Sequence, residues 1–111
     1  MLLPEAGRYK ENAMTKTITY GAHTIKIGTS YSDVPPSLDG LTLQVWYDNQ
    51  LVQPRSHERI GTSRVGRFVF SAREYAQPAQ YEIEHGERKS PGLPEIYYII
   101  RRNGTIIFSD K

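Results

Sequence analysis

The 111-residue sequence contains no cysteine, which excludes disulfide bonds, thiolate metal sites and thiol catalysis. It also lacks an apolar run that approaches the length needed to span a membrane. The first thirteen residues, MLLPEAGRYKENA, do not combine a positive head with an apolar stretch, as a signal peptide would. Because a chain without cysteine suits a reducing compartment, we expect a cytoplasmic protein that does not associate with a membrane.

The sequence also has little excess of either charge. Fourteen basic and twelve acidic side chains leave a formal net charge of only +2. This balance does not by itself indicate a nucleic-acid or anionic-membrane partner. Methionine is also rare, with two residues beside eight tyrosines and three phenylalanines. This choice of large side chains favours half-buried strands over helix cores.

Two similar stretches dominate the remaining sequence, Leu41–Val52 (LTLQVWYDNQLV) and Ile96–Phe108 (IYYIIRRNGTIIF). In each, a run of apolar and aromatic residues is broken by a turn pair and followed by a shorter apolar run. The turn pairs are Asp48-Asn49 and Asn103-Gly104, and such residues tolerate the positive φ of a tight hairpin turn. Both stretches therefore predict β-hairpins. An alternating strand and a proline-containing loop precede each hairpin, which indicates a weak internal repeat over 24–52 and 80–107.

Period-two alternation continues over most of the chain from residue 16 onward. We therefore predict an all-β fold, a single-domain antiparallel sandwich or small barrel of about seven strands. Residues 1–13 show no period and are expected to be a flexible tail before a single β domain over 14–111. Ser71 and Glu74 have capping-box spacing, which predicts one short helix over 72–77, with a bulged strand as the alternative.

The alternation also defines a predicted core, because residues two apart share one face of a strand. Its members are apolar or aromatic and come from every predicted strand. They are Ile18, Ile25, Ile27, Leu41, Leu43, Val45, Phe68, Phe70, Tyr81, Ile83, Ile96, Tyr98, Ile100 and Ile106. Residues 96–100 are apolar at both parities, which is typical of a strand covered on both sides. An uncovered strand beside them would pair with a second copy, so a homodimer is a further hypothesis.

A polar loop over 53–67 (QPRSHERIGTSRVGR) is the first candidate binding site. Four arginines and one histidine accompany a single acid there: Arg55, Arg59, Arg64, Arg67 and His57. Guanidinium groups bind phosphate and carboxylate in a bidentate manner, so this loop is a candidate for a small anionic ligand or nucleic acid. The alternative is a solvated loop whose arginines pair with nearby glutamates.

Trp46 is the second candidate binding residue. The alternation places it with Thr42 and Gln44, away from the predicted core face. An indole on a polar face can anchor a partner, whereas packing against neighbouring residues is the commoner outcome. Tyr97 would join it if the two hairpins lay in the same sheet.

The third candidate is a catalytic site for hydrolysis. The segment from Tyr81 to the end resembles the C-terminal sheet of small microbial guanyl-specific ribonucleases, in which a strand glutamate acts as base. The resemblance implies that Glu82 or Glu84 is the base and that Arg101 or Arg102 binds phosphate. The helices that precede the sheet in that family are not found here, nor is a histidine after the last hairpin.

Three histidines complete the candidate residues, His23, His57 and His85. Their separations do not match the spacing of metal ligands, so no metal site and no cofactor is expected. Without a visible catalytic constellation, the favoured function is a non-catalytic binding or protein-interaction module. The anion or nucleic-acid binder through 53–67 is the first alternative. A hydrolase in which Glu82 or Glu84 acts with His57 or His85 is the second.

Overall fold

The computed structural model describes residues 14–31, 41–61, 64–75, 77–88 and 95–111. Within these ranges the chain forms nine strands and no helix, and all strand pairing is antiparallel. The predicted all-β antiparallel class is confirmed, and the strands form two separate sheets. The predicted tail over 1–13 lies outside the described residues. The chain divides between Val52 and Gln53 into two compact units.

The first unit contains a four-stranded meander in the order β1-β2-β3-β4. Its strands are β1 (Met14–Tyr20), β2 (His23–Tyr31), β3 (Leu41–Tyr47) and β4 (Gln50–Leu51). Alternate side chains of β2 and β3 are buried, which the period-two pattern predicts, and Ile18 is buried in β1. In the register, Ile27 lies opposite Val45, and Thr29 lies opposite Leu43. These pairs build the buried face of this sheet.

The second unit contains a five-stranded meander in the order β5-β6-β7-β8-β9. Its strands are β5 (Ser56–Arg59), β6 (Gly66–Glu74), β7 (Gln77–Arg88), β8 (Glu95–Arg102) and β9 (Thr105–Ser109). Phe68 lies opposite Ile83, which lies opposite Ile100, so one apolar row crosses three strands. Tyr81 and Phe70 stack on the same face with ring centroids 5.0 Å apart.

The predicted strand number of about seven is too low, because nine strands occur in the described part of the chain. The main addition is β5, which lies inside the segment interpreted from sequence as an irregular polar loop. Its sequence, SHER, has no apolar side chain, so alternation could not identify it. It pairs along β6 from Ser56 opposite Val69 to Arg59 opposite Gly66.

The predicted helix over 72–77 is wrong. Strand β6 continues to Glu74, and β7 already begins at Gln77. Ser71 lies opposite Gln80 and Ala72 opposite Ala79, so the two strands stay in register up to the turn. The capping-box spacing is therefore coincidental, because in a strand Ser71 and Glu74 belong to opposite faces.

The predicted core is correct except at one position. All its members are buried apart from Ile106, which is 54% exposed. A register shift between Ile100 and Arg101 changes the pairing of β8 with β9 and places Ile106 opposite Arg101. A bulge of this kind inverts the parity on which the prediction depended. Residues 96–100 are all buried, as predicted for a strand covered on both sides. The homodimer stays a prediction.

Both predicted hairpins are present, and their turns share one hydrogen-bonding scheme. The Asp48 amide donates to the Thr24 carbonyl, and Asp48 Oδ1 accepts from the Thr24 amide, both at 2.8 Å. Asn103 does the same with Gln80, at 2.8 and 2.9 Å. Each turn therefore bonds to the strand that precedes the hairpin, and the predicted internal repeat extends to side-chain detail.

Candidate functional site

The turn between β6 and β7 carries an unusual tyrosine. Tyr75 has a φ of +56° and is 97% exposed. The left-handed region costs a residue with a side chain about 1–2 kcal/mol, and bulky residues rarely occupy it. Residues held in this way are concentrated at functional sites, where the surrounding structure maintains the strain. An exposed aromatic ring in such a conformation is the first observation that points to a binding site.

A cavity of about 300 Å³ lies beside this tyrosine. Residues from the β6–β7 hairpin and from the β8–β9 turn line it: Glu74, Tyr75, Gln77, Pro78, Arg102 and Asn103. We call this set the hairpin-end cleft. Its volume is at the lower end of the range of ligand pockets, which begins at about 300 Å³.

A buried carboxylate forms the inner wall of the hairpin-end cleft. Glu74 is only 5% exposed, and the Tyr81 hydroxyl donates a hydrogen bond to its Oε2. Arg102 donates to Glu74 Oε1 from Nε at 3.0 Å and from Nη2 at 2.7 Å. These bonds raise the pKa of Arg102 further above its ordinary value. Because the guanidinium balances the carboxylate and the other lining residues are uncharged, the cleft has no net formal charge.

The arginines of 53–67 do not form one cluster in the structure. Arg55 Nη1 donates to Ser71 Oγ at 3.3 Å, and Arg67 Nε lies 3.6 Å from Glu82 Oε1. Arg59 lies opposite Gly66, whereas Arg67 lies opposite Glu58, so the register assigns Arg59 and Arg67 to opposite faces of the sheet. Arg64 is exposed between β5 and β6. All four are solvent-exposed, but Arg67 belongs to the inner strand β6, whereas Arg59 belongs to the edge strand β5.

Trp46 is half-buried in the four-stranded sheet, on the face predicted for it. Its ring lies over Gly28, where an added Cβ would come within 3.1 Å of the indole. The ammonium of Lys26 lies 5.3 Å from the ring centroid. The indole therefore packs on its own sheet. Tyr97 belongs to the other sheet, so the condition for pairing it with Trp46 is not met.

The proposed hydrolytic residues form an ion network. Arg101 Nη1 donates to Glu82 Oε2 at 3.0 Å and to Glu84 Oε1 at 3.1 Å. Tyr97 donates its hydroxyl to Glu84 Oε2 at 3.1 Å. The register places both carboxylates on the sheet face opposite His85. The structure therefore does not bring either glutamate together with an imidazole in the arrangement that general acid–base hydrolysis needs.

Two of the three histidines meet inside the second unit. His57 Nε2 and His85 Nε2 are 2.8 Å apart, so one ring donates a hydrogen bond to the other. His85 is only 3% exposed. Burial, and then the nearby His57, lowers the pKa of His85 to about 4, although Glu84 opposes this shift. Burial lowers the pKa of His57 as well. Both rings are therefore neutral at pH 7.

His23, by contrast, lies in the first unit, where Nδ1 is 2.8 Å from Asp48 Oδ2 and the ring stacks on Tyr47. Sequence reasoning missed the His57–His85 contact because the residues lie on strands separated by β6. It missed the hairpin-end cleft because Tyr75 is not a typical turn residue. In both cases strand register was the necessary information.

Comparisons with protein-family models, with curated proteins and with solved structures find no match to this chain. Within the described ranges, no set of three or more His, Asp or Glu side chains is arranged to hold a metal ion. The same residues contain no helix of the length and apolarity needed to cross a membrane. The cytoplasmic location stays a prediction.

Proposed function

We propose that this protein is a binding module and that the hairpin-end cleft binds a small, neutral, hydrogen-bonding ligand. The observation that carries the proposal is Tyr75, an exposed aromatic residue at positive φ beside a cavity of about 300 Å³. A turn selected for stability alone would have glycine or asparagine at this position. The strain therefore favours a role for the ring itself.

The lining residues support a neutral ligand. Arg102 and Glu74 satisfy each other, so a charged ligand would meet no unbalanced partner. Gln77 offers an amide with both donors and an acceptor, and Asn103 keeps its Nδ2 donor while its Oδ1 accepts from Gln80. Pro78 and the ring of Tyr75 supply apolar surface. A ligand with one flat apolar face and hydroxyl or amide groups around its edge, such as a sugar ring, suits this combination.

Protein-observed NMR with small probes tests this proposal on the whole chain. Methyl glucoside and N-acetylglucosamine serve as neutral probes, and inorganic phosphate serves as the anionic one. We expect the neutral probes to shift the amide signals of Glu74, Tyr75, Gln77, Arg102 and Asn103 at millimolar concentration. Phosphate shifts confined to the arginines of 53–67 would favour the anion-binding alternative instead. Neutral probes that bind elsewhere, or do not bind, would overturn the proposal.

A substitution at Tyr75 separates binding from folding. Tyr75→Gly removes the ring and relieves the positive φ, so we expect probe binding to be lost while the free energy of unfolding rises by about 0.5–1 kcal/mol. Tyr75→Phe keeps the ring and should retain binding. Asn49→Gly is the matched control, because it changes a positive-φ turn in the other sheet. It should leave binding unchanged. Loss of stability in Tyr75→Gly would show that the ring has a structural role.

A further inference from the structure

The His57–His85 pair forms a second candidate site, separate from the hairpin-end cleft. His57 lies on β5 and His85 on β7, and β6 runs between these strands. Gly66 of β6 lies directly opposite His85. Because Gly66 has no side chain, the two imidazoles can meet across β6. Their rings are 5.1 Å apart and inclined by 61°, with the two Nε2 atoms directed at each other.

This arrangement is close to that of a metal chelate. Two Nε2 atoms that bind one tetrahedral ion at about 2.0–2.1 Å are about 3.3 Å apart, as the tetrahedral angle requires. The observed separation is 2.8 Å, so a small opening of the pair makes room for an ion. The shared Nε2 proton would move to Nδ1 of the same ring, because each neutral imidazole keeps one proton. Both Nε2 lone pairs would then face the ion.

We propose that His57 and His85 form a two-imidazole site for a divalent first-row transition ion. Imidazole suits Cu²⁺, Ni²⁺ and Zn²⁺, and Cu²⁺ binds most tightly in the general affinity order. Because no third His, Asp or Glu completes the set among the described residues, water occupies the remaining positions. His57 is half-buried on the edge strand β5 and gives the ion a route from solvent. The site therefore binds an exchangeable ion with open coordination positions.

Cu²⁺ titration of the metal-free full chain tests this site. Pulsed electron paramagnetic resonance counts the imidazole nitrogens bound to copper, and two are expected at one equivalent. In NMR spectra of the wild-type protein, Cu²⁺ should broaden the amide signals of His57, Gly66 and His85 first. Signals around His23 should broaden only at higher copper concentration. This localisation does not depend on any variant, so it holds even if a substitution impairs folding.

Substitutions then assign the ligands. His57→Gln and His85→Gln should each weaken Cu²⁺ binding at least tenfold, and His57→Gln is the milder change because its side chain is only half-buried. His23→Gln is the control and should bind copper as the wild type does. Unchanged affinity in folded His57→Gln, a spectrum with one imidazole, or broadening that begins at His23 would each overturn the proposal. Failure of sugar binding at the hairpin-end cleft would leave it unaffected.

Discussion

Two buried polar side chains of the five-stranded sheet, Glu74 and His85, are satisfied by partners on other strands. Glu74 of β6 is bonded by Tyr81 of β7 and Arg102 of β8. His85 of β7 is bonded by His57 of β5. A buried polar group without such a partner destabilises a fold by about 1–3 kcal/mol. These contacts therefore favour the observed alignment of β6 with β7 and β8, and of β5 with β7. At the residue scale, polar pairs select the register that the apolar rows then stabilise.

The neutral state of His85 makes stability depend on pH. Burial lowers its pKa to about 4 in the folded state, whereas an unfolded histidine titrates near its ordinary value of 6.5. The unfolded chain therefore binds more protons between these values, and stability falls as the pH drops through this window. The full shift corresponds to a loss of about 3 kcal/mol. Above pH 6.5 this contribution to the free energy of unfolding is fully retained.

Urea unfolding in metal-free buffer between pH 7.5 and pH 4 measures this effect. The slope of unfolding free energy against pH should be smaller in His85→Phe than in the wild type, because the titrating group is gone. His23→Gln should keep the wild-type slope. Parallel slopes for wild type and His85→Phe would contradict the assignment. Because the acidic side chains are the same in wild type and His85→Phe, the difference between the two curves isolates the histidine.

Sequence could identify the apolar residues of the core but not these polar pairs. Ile25 and Val45 are apolar at the right parity, so alternation was sufficient to predict their burial. Glu74 and His57 also belong to the buried face of their strands, but their polar side chains predicted exposure to solvent. Their burial depends on partners supplied by other strands, and no local pattern encodes which strands become neighbours.

At the scale of elements, the two hairpin turns are the most regular feature of the chain. Asp48 and Asn103 each occupy the left-handed region, with φ of +50° and +49°. Each uses its backbone amide and its side-chain oxygen to bond the preceding strand. Asp and Asn suit this role because they tolerate positive φ and carry an acceptor close to the backbone. The turn residue thus joins three strands rather than two.

We expect Asp48→Ala and Asn103→Ala each to lower the free energy of unfolding by about 1–2 kcal/mol, since each adds left-handed strain and removes the hydrogen bond to the preceding strand. Asp48→Ala also removes the contact of Oδ2 with His23, so it should be the more destabilising of the two. The exchanges Asp48→Asn and Asn103→Asp keep the oxygen that accepts from the preceding strand, so each should cost less than the alanine variant at the same position. Chemical unfolding of the four variants measures these differences. Equal losses from alanine and from the isosteric exchange would contradict the shared turn scheme.

The hairpins could be predicted because their turn pairs belong to the small set that positive φ allows. The turn at Tyr75 could not, because tyrosine is disfavoured there and the capping-box spacing pointed to a helix. The bulge that exposes Ile106 also has no local signal in the sequence. Local residue preferences therefore predicted the turns whose residues suit positive φ. They failed at the hairpin-end cleft, where the residue in the turn is one that positive φ disfavours.

For the whole molecule, both halves of the chain use the same order of elements. Strands β1 to β4 repeat the pattern of β6 to β9, namely a hairpin, a longer connection and a second hairpin with an Asp48- or Asn103-type turn. The contacts divide the chain at the same boundary, between Val52 and Gln53. A unit of half of 111 residues is near the lower limit for an independent core. Size therefore favours the predicted single domain over 14–111 as the unit of folding.

Calorimetry with one variant in each unit tests this prediction. Gly86→Ala introduces a Cβ only 2.7 Å from the Tyr97 ring and should destabilise by about 1–3 kcal/mol. Ile25→Val removes one methyl from a fully buried side chain and should destabilise by about 0.5–1.5 kcal/mol. If the chain folds as one domain, each variant shifts one common transition to lower temperature. Two transitions, each moved only by the variant in its own half, would show that the sheets fold separately, because a cooperative unit distributes a local destabilisation over all its residues.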